Sequence, residues 1–360
     1  MIPLEPYYEL SDADLETRIR AAKEVLGPRC VILGHHYQRE EVYKFADLTG
    51  DSLKLSRLAS ARADAEYIIF CGVHFMAEVA DILSAPHQTV ILPDMAAGCS
   101  MADMADLSRV MAAWQAMGAV MDVEHEVTPI TYINSMADLK AFCGEHGGVV
   151  CTSSNATRIL QWAFAQREKV LFFPDQHLGR ISAYTLGVPL EQMVVWNPAQ
   201  KNGGIHPDVL RQAKVILWDG YCSVHQMFQP AHVELFRAKY PGIQVIVHPE
   251  CSFEVCRMAD YRGSTELIQQ TVRDAPSGTQ WAIGTELNLV NRLKNEMPDK
   301  GIHFLCTTVC MCSTMFRIDP QHLCWTLENL VAGEVLNVIS VPEREAVGAK
   351  RALDRMLAVS

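Results

Sequence analysis

The chain has 360 residues, too many for one ordinary core, so two or three domains are expected. Its 49% apolar and 20% charged composition describes a globular protein, neither disordered nor membrane-embedded. A net charge of −11 argues against a general surface for nucleic acid or anionic membrane. No apolar run approaches a membrane span, and the opening residues lack a basic-then-apolar secretion pattern. Twelve cysteines in such a chain are expected to be reduced thiols in a cytoplasmic protein. Most are expected to be plain core residues, with three or four doing chemistry.

In chain order, Ser11-Asp12-Ala13-Asp14 caps a helix carrying Leu15, Ile19, Ala22 and Leu26 at helical spacing. Cys30-Val31-Ile32-Leu33 reads as a buried strand that delivers Gly34-His35-His36-Tyr37, and Gly50-Asp51-Ser52 opens the next helix. Tyr67–Cys71 is a second strand, and Thr89-Val90-Ile91-Leu92 is a third that leads to Cys99. The order then recurs. Pro129–Tyr132 ends in Ile133-Asn134-Ser135, Cys151–Asn155 begins a helix, Val170–Phe173 is a strand, and Lys214–Trp218 leads to Cys222. A last round runs from Ile243–Val247 into His248-Pro249-Glu250-Cys251, through Gly263-Ser264-Thr265 and Trp281–Gly284. It closes on Ile302–Cys312, where Cys306, Cys310 and Cys312 crowd into one stretch. The tail beyond Asp319 reads as helical, ending in an amphipathic helix from Pro342.

His35 and Asn134 are 99 positions apart, and Asn134 and His248 are 114 apart. That spacing implies three copies of one α/β unit, far longer than a solenoid repeat. The fold expected is three pseudo-threefold-related α/β/α domains with short parallel sheets around a central active site. The divisions expected are 1–124, 125–228, 229–330 and a helical tail, 331–360. Ligands of parallel sheets gather at the carboxyl ends of strands, where His35, Tyr37, Tyr132, Asn134, His248 and Glu250 all fall. Each copy adds a hydroxyl at a helix start, in Ser52, Ser153 and Thr265, suited to phosphate or carboxylate. Three thiols at three strand ends suit one metal centre, either zinc or an iron–sulfur cluster. No Cys-x₂-Cys pair is present to close a zinc tetrahedron. A three-cysteine [4Fe–4S] cluster leaves one iron open as a Lewis acid.

Gly34-His35-His36-Tyr37-Gln38, Gly50-Asp51-Ser52-Leu53, Val73-His74-Phe75-Met76-Ala77-Glu78, Tyr132-Ile133-Asn134-Ser135, Cys222-Ser223-Val224-His225 and His248-Pro249-Glu250-Cys251 resemble the quinolinate synthase family, in order, from about Arg29 to Asn329. The resemblance implies a transferase with one [4Fe–4S] cluster, held by Cys99, Cys222 and Cys312. It implies condensation of iminoaspartate with dihydroxyacetone phosphate to quinolinate, in de novo NAD biosynthesis, and an aspartate oxidase or dehydrogenase as supplier of iminoaspartate. Tyr37, His248 and Glu250 match catalytic positions. His35, Ser52, Tyr132, Ile133, Asn134, Ser153, His225, Pro249 and Thr265 match substrate-binding ones. His36 departs from the asparagine of many relatives, and the Cys306–Cys312 spacing from the Cys-x₂-Cys-x₂-Cys of one branch. Among the three thiols of the last stretch, Cys312 is the ligand expected. Met315 stands three positions after it, as in the family, and a helix starting there would aim N–H groups at the cluster. Two other classes compete: an iron–sulfur sensor without turnover, and a simpler cluster-dependent hydro-lyase. The paired acid–base residues and the lack of a basic DNA-reading segment count against the sensor.

Overall fold

The computed structural model describes residues 1–61, 64–309 and 311–359; Cys310 lies outside them. The fold is mixed α/β with short, mostly parallel sheets. The strands are β1 Cys30–His35, β2 Leu48–Gly50, β3 Tyr67–Cys71, β4 Thr89–Ile91, β5 Val127–Tyr132, β6 Val149–Cys151, β7 Lys169–Phe173, β8 Met193–Trp196, β9 Val215–Trp218, β10 Gln244–Val247, β11 Tyr261–Arg262, β12 Gln280–Gly284, β13 Gly301–Phe304 and β14 Val338–Ile339. They form three sheets, ordered β14-β4-β3-β1-β2, β6-β5-β7-β9-β8 and β11-β10-β12-β13.

Within each sheet the same four-strand order appears. Numbering four strands of each sheet in chain order, with β8 and β14 left out, the order is 2-1-3-4: β2-β1-β3-β4, β6-β5-β7-β9 and β11-β10-β12-β13. The pairings are parallel, with Ile32 opposite Ile69, Phe172 opposite Leu217 and Ile246 opposite Ile283. Two additions break the pattern. β8 extends the second sheet in parallel beyond β9, and β14 joins the first antiparallel on β4. These edge strands and the short β2, β6 and β11 were not legible as strands, because each is only two to four residues long.

The central strands are buried along most of their length (six of six residues in β5, five of five in β7), which only a sheet covered on both faces requires. Their Val, Ile and Phe side chains each contribute roughly 1.5–3 kcal/mol on burial. Around the third sheet, Ile181, Phe228, Val233, Val245, Val247, Val255 and Leu305 make one such core. Ser11 caps the first helix as expected, accepting from Asp14 N.

The chain divides into two compact units. One holds Met1–Cys99, Glu286–Arg292 and Met311–Val341, and so the first sheet. The other holds Ser100–Thr285, Leu293–Cys310 and Pro342–Ser360, and so the second and third. The terminal helix Glu343–Val359 lies against helix Ala137–Glu145 in this second unit, at a crossing so close that a Cβ on Gly144 would strike Gly348 O. No described helix is long and apolar enough to cross a membrane.

Candidate active site

In the second unit the carboxyl ends of β5, β9 and β10 carry the groups that matter. β10 runs straight into His248-Pro249-Glu250, a turn closed by Cys251 N on His248 O at 3.0 Å, while His248 N donates to Gly284 O at 3.0 Å. The turn buries both functional side chains, leaving 3% of His248 and 3% of Glu250 exposed. His225, also buried, lies in the short helix Ser223–Gln226 just after Cys222, and its Nδ1 is 2.7 Å from Glu250 Oε2. His248 Nδ1 is 3.7 Å from the same oxygen, and the two imidazoles stack with centroids 4.8 Å apart. Tyr132, the last residue of β5, hydrogen-bonds Glu250 as well. The far nitrogen of His225 meets Thr285 Oγ1 at 3.3 Å, which fixes the ring from behind. One ligating atom each from Cys222, His225 and Glu250 lie within 4.8 Å of one another.

Burial alone would raise the Glu250 carboxyl, but the neighbouring imidazoles of His248 and His225 and the hydrogen bonds from His225 and Tyr132 outweigh it. The group is held below the usual carboxylate range. Burial pushes His248 down to about 3, with Glu250 opposing. At neutral pH the centre is therefore an ionised carboxylate against a neutral His248.

The Cys222 loop is pinned independently. Gln176 N donates to Gly220 O at 2.9 Å and Gln176 Nε2 to Asp219 Oδ1 at 2.9 Å. Gly220 sits so close to Pro174 that any side chain there would collide with the carbonyl oxygen. Asp175, fully buried, caps helix Gln176–Thr185 through the N–H groups of His177 and Leu178 at 2.7 and 2.8 Å. Burial and the charge of Glu250 raise its carboxyl well above the ordinary value, against backbone bonds from Leu178, His177 and Cys222.

Two of the three predicted anion-binding hydroxyls, Ser52 and Thr265, fall one step past the residue that caps the helix. Asp51 Oδ1, not Ser52, accepts Lys54 N at 2.9 Å, and Ser264 Oγ, not Thr265, accepts Leu267 N at 3.4 Å. Ser153 sits in the turn before helix Ala156–Gln166, whose N-cap residue is Asn155, so the helix starts later than its sequence suggests. Thr265 Oγ1 and Asn134 Oδ1 are both buried without a hydrogen-bond partner. Orphaned buried polar atoms at strand ends are costly unless a ligand completes them. The N–H of Ile133 is already bonded to Cys151 O at 2.8 Å, leaving its apolar side chain for contact.

In the first unit, His35 ends β1 and accepts Tyr37 N on its Nδ1 at 3.2 Å, with the two rings edge to face at 4.9 Å. Cys99 follows β4, in a loop where Asp94 Oδ1 accepts Ala96 N and Arg317 Nε meets Asp94 Oδ2 at 2.7 Å. Cys312 precedes a single 3₁₀ turn, Met315–Arg317, rather than an α-helix. Burial raises its thiol, while the Thr314 hydroxyl at 3.4 Å and the N–H groups of Met315 and Thr314 favour the thiolate. Cys306 is half-buried against the third-sheet core. No described cysteine is in a disulfide, and Cys71, Cys143, Cys151, Cys251, Cys256 and Cys324 are buried.

Asp175 and Glu286 escaped the sequence reading. Each stands two residues past the third strand of its sheet, β7 and β12; Val73 holds that place in the first. Aligning the three sheets strand by strand brings both carboxylates to one place in the order.

Fold and site together describe an α/β protein with a buried carboxylate–imidazole cluster beside a cysteine thiol. The family described as Quinolinate synthetase A protein matches residues 17–358. The quinolinate synthase of Acidobacterium capsulatum is 56% identical over 359 residues, covering 99% of this chain and 96% of that one. That of a Nocardioides species is 58% identical, over 97% and 90%. That of Rhodopirellula baltica is 54% identical, over 99% and 94%. The chain belongs to the quinolinate synthase family, transferases of NAD biosynthesis.

Proposed function

We propose that this cytoplasmic enzyme condenses iminoaspartate with dihydroxyacetone phosphate to quinolinate, releasing phosphate and two waters without net redox change. An aspartate-oxidising enzyme would supply the unstable imine. We further propose that the chain is a triplication of one α/β unit and that Cys99, Cys222 and Cys312 ligate a single [4Fe–4S] cluster. The 2-1-3-4 order common to the sheets supports the triplication. The cysteines fit the cluster because each is half-buried, outside any disulfide, and follows the fourth strand of its sheet. When bound, such a cluster supplies an open iron as a Lewis acid for a substrate hydroxyl or carboxylate.

The observation that carries the reading is Glu250, buried and ionised between His225, His248 and Tyr132. Forming the ring requires protons to leave carbon next to a carbonyl or imine. A carboxylate is the form that accepts them, and His225, His248 and Tyr132 hold this one in place. Tyr132, hydrogen-bonded to Glu250, can return a proton to a leaving hydroxyl. Tyr37, beside His35, is a second phenol suited to the same task. Thr265, Asn134, Ser52 and Ser153 provide polar groups for the carboxylates and the phosphate, and Pro249 and Ile133 apolar walls. The test of the ligand set is iron content. Protein prepared without oxygen should hold about four irons per chain. Cys99→Ala, Cys222→Ala and Cys312→Ala should each lose them, and Cys306→Ala should keep them. Stoichiometric zinc without visible absorption contradicts the cluster.

A further inference from the structure

Three consecutive carbonyl oxygens in the first unit, those of His36, Tyr37 and Gln38, are all held by side chains of helix Leu287–Glu296. Arg292 donates from Nη1 to His36 O at 3.0 Å and from Nη2 to Gln38 O at 2.7 Å. Asn288 Nδ2 donates to Tyr37 O, between them, at 3.2 Å. Neither group is free to wander. Arg292 is 6% exposed, its Nε meets Glu40 Oε2 at 2.9 Å, and its plane lies 3.3 Å from the centre of the Tyr43 ring. Asn288 is fixed by Glu286, whose Oε2 accepts Asn288 N at 2.7 Å and whose Oε1 accepts Asn288 Nδ2 at 3.1 Å. Glu286 also takes the backbone N–H of Cys312.

Burying a guanidinium to grip two carbonyls of one short turn does little for net charge, since a carbonyl carries none. What it fixes is backbone geometry: with the oxygens of residues 36 to 38 held, the peptide planes on both sides of Tyr37 are set. We infer that Asn288 and Arg292 are positioning residues, which hold the His35–Tyr37 pair in the place its proton transfer needs. The inference rests on the proposed role of Tyr37.

The experiment compares Tyr37→Phe, Asn288→Ala, Arg292→Lys and the two double variants with Tyr37→Phe, each at measured iron content. Lysine keeps the charge beside Glu40 but cannot span two carbonyls. Each positioning variant should lose about tenfold to a hundredfold in kcat with a smaller change in KM and unchanged iron. In the Tyr37→Phe background neither should add a further loss. In apoprotein, amide exchange at Gln38, whose N–H bonds His35 O at 2.9 Å, should quicken in both single variants. Losses that multiply in the doubles, a full kcat in the singles, or iron lost in step with kcat would each overturn the inference while leaving Tyr37's role intact. A fully active Tyr37→Phe would instead remove that role, and the inference with it. Should Arg292→Lys not fold, Asn288→Ala, which deletes one hydrogen bond, decides the matter alone.

Discussion

Glu250 and Glu286 are both almost wholly buried, 3% and 1% exposed, yet their charge states diverge. Glu250 sits among two imidazoles and a phenol and is driven down. Glu286 is surrounded mainly by backbone N–H groups of Asn288, Cys312 and Leu289, with Arg292 as a minor charge. Burial prevails there and lifts it from 4.5 to about 7. Burial sets only the cost of ionisation; the neighbours decide whether that cost is met. One carboxylate is thereby kept ionised, and the other is balanced between forms while it fastens a loop.

The largest effect expected falls on the Glu250 side. Glu250→Gln preserves shape but cannot accept a proton, so turnover should drop on the order of a hundredfold to ten-thousandfold with iron intact. Near-normal turnover would reduce Glu250 to a structural carboxylate like Glu286.

On the other side, the raised Glu286 carboxyl has a defined signature. The folded state retains a proton that the unfolded chain has already lost, so its contribution is complete below about pH 4.5 and disappears as pH climbs to about 7. That amounts to about 3 kcal/mol over the window. In apoprotein, the melting temperature relative to Glu286→Gln should fall between those values and level off above them. Parallel melting curves for the two proteins would show that Glu286 is ionised throughout.

A smaller effect concerns the orphaned hydroxyl. Thr265→Val keeps the shape and removes a buried oxygen without a partner, so thermal stability should hold or rise while substrate affinity weakens about tenfold. Loss of stability with affinity unchanged would make Thr265 part of the helix start and nothing more.

Much of this was legible beforehand. The apolar runs of β1, β3, β5, β7, β10 and β12 are β-branched or aromatic and end in polar turns, so the strand ends could be read, and with them His35, Tyr132, His248 and Glu250. His225 was expected to touch substrate; the structure adds its grip on Glu250, a contact between residues 25 positions apart that no local pattern encodes. Ser52 and Thr265 were read as helix starts and are the first residues of their helices, with Asp51 and Ser264 accepting the capping bonds; Ser153 lies in the turn before its helix, because helix ends shift by a residue or two. Asn288 and Arg292 were invisible because they bind backbone oxygens some 250 residues away, which leave no mark in side-chain identity.

The most direct test is turnover under anaerobic conditions, with iminoaspartate generated in place and dihydroxyacetone phosphate supplied to iron-replete protein. The account predicts quinolinate, formed with one phosphate released per ring. Cluster-loaded protein that binds both compounds and forms no quinolinate would contradict it.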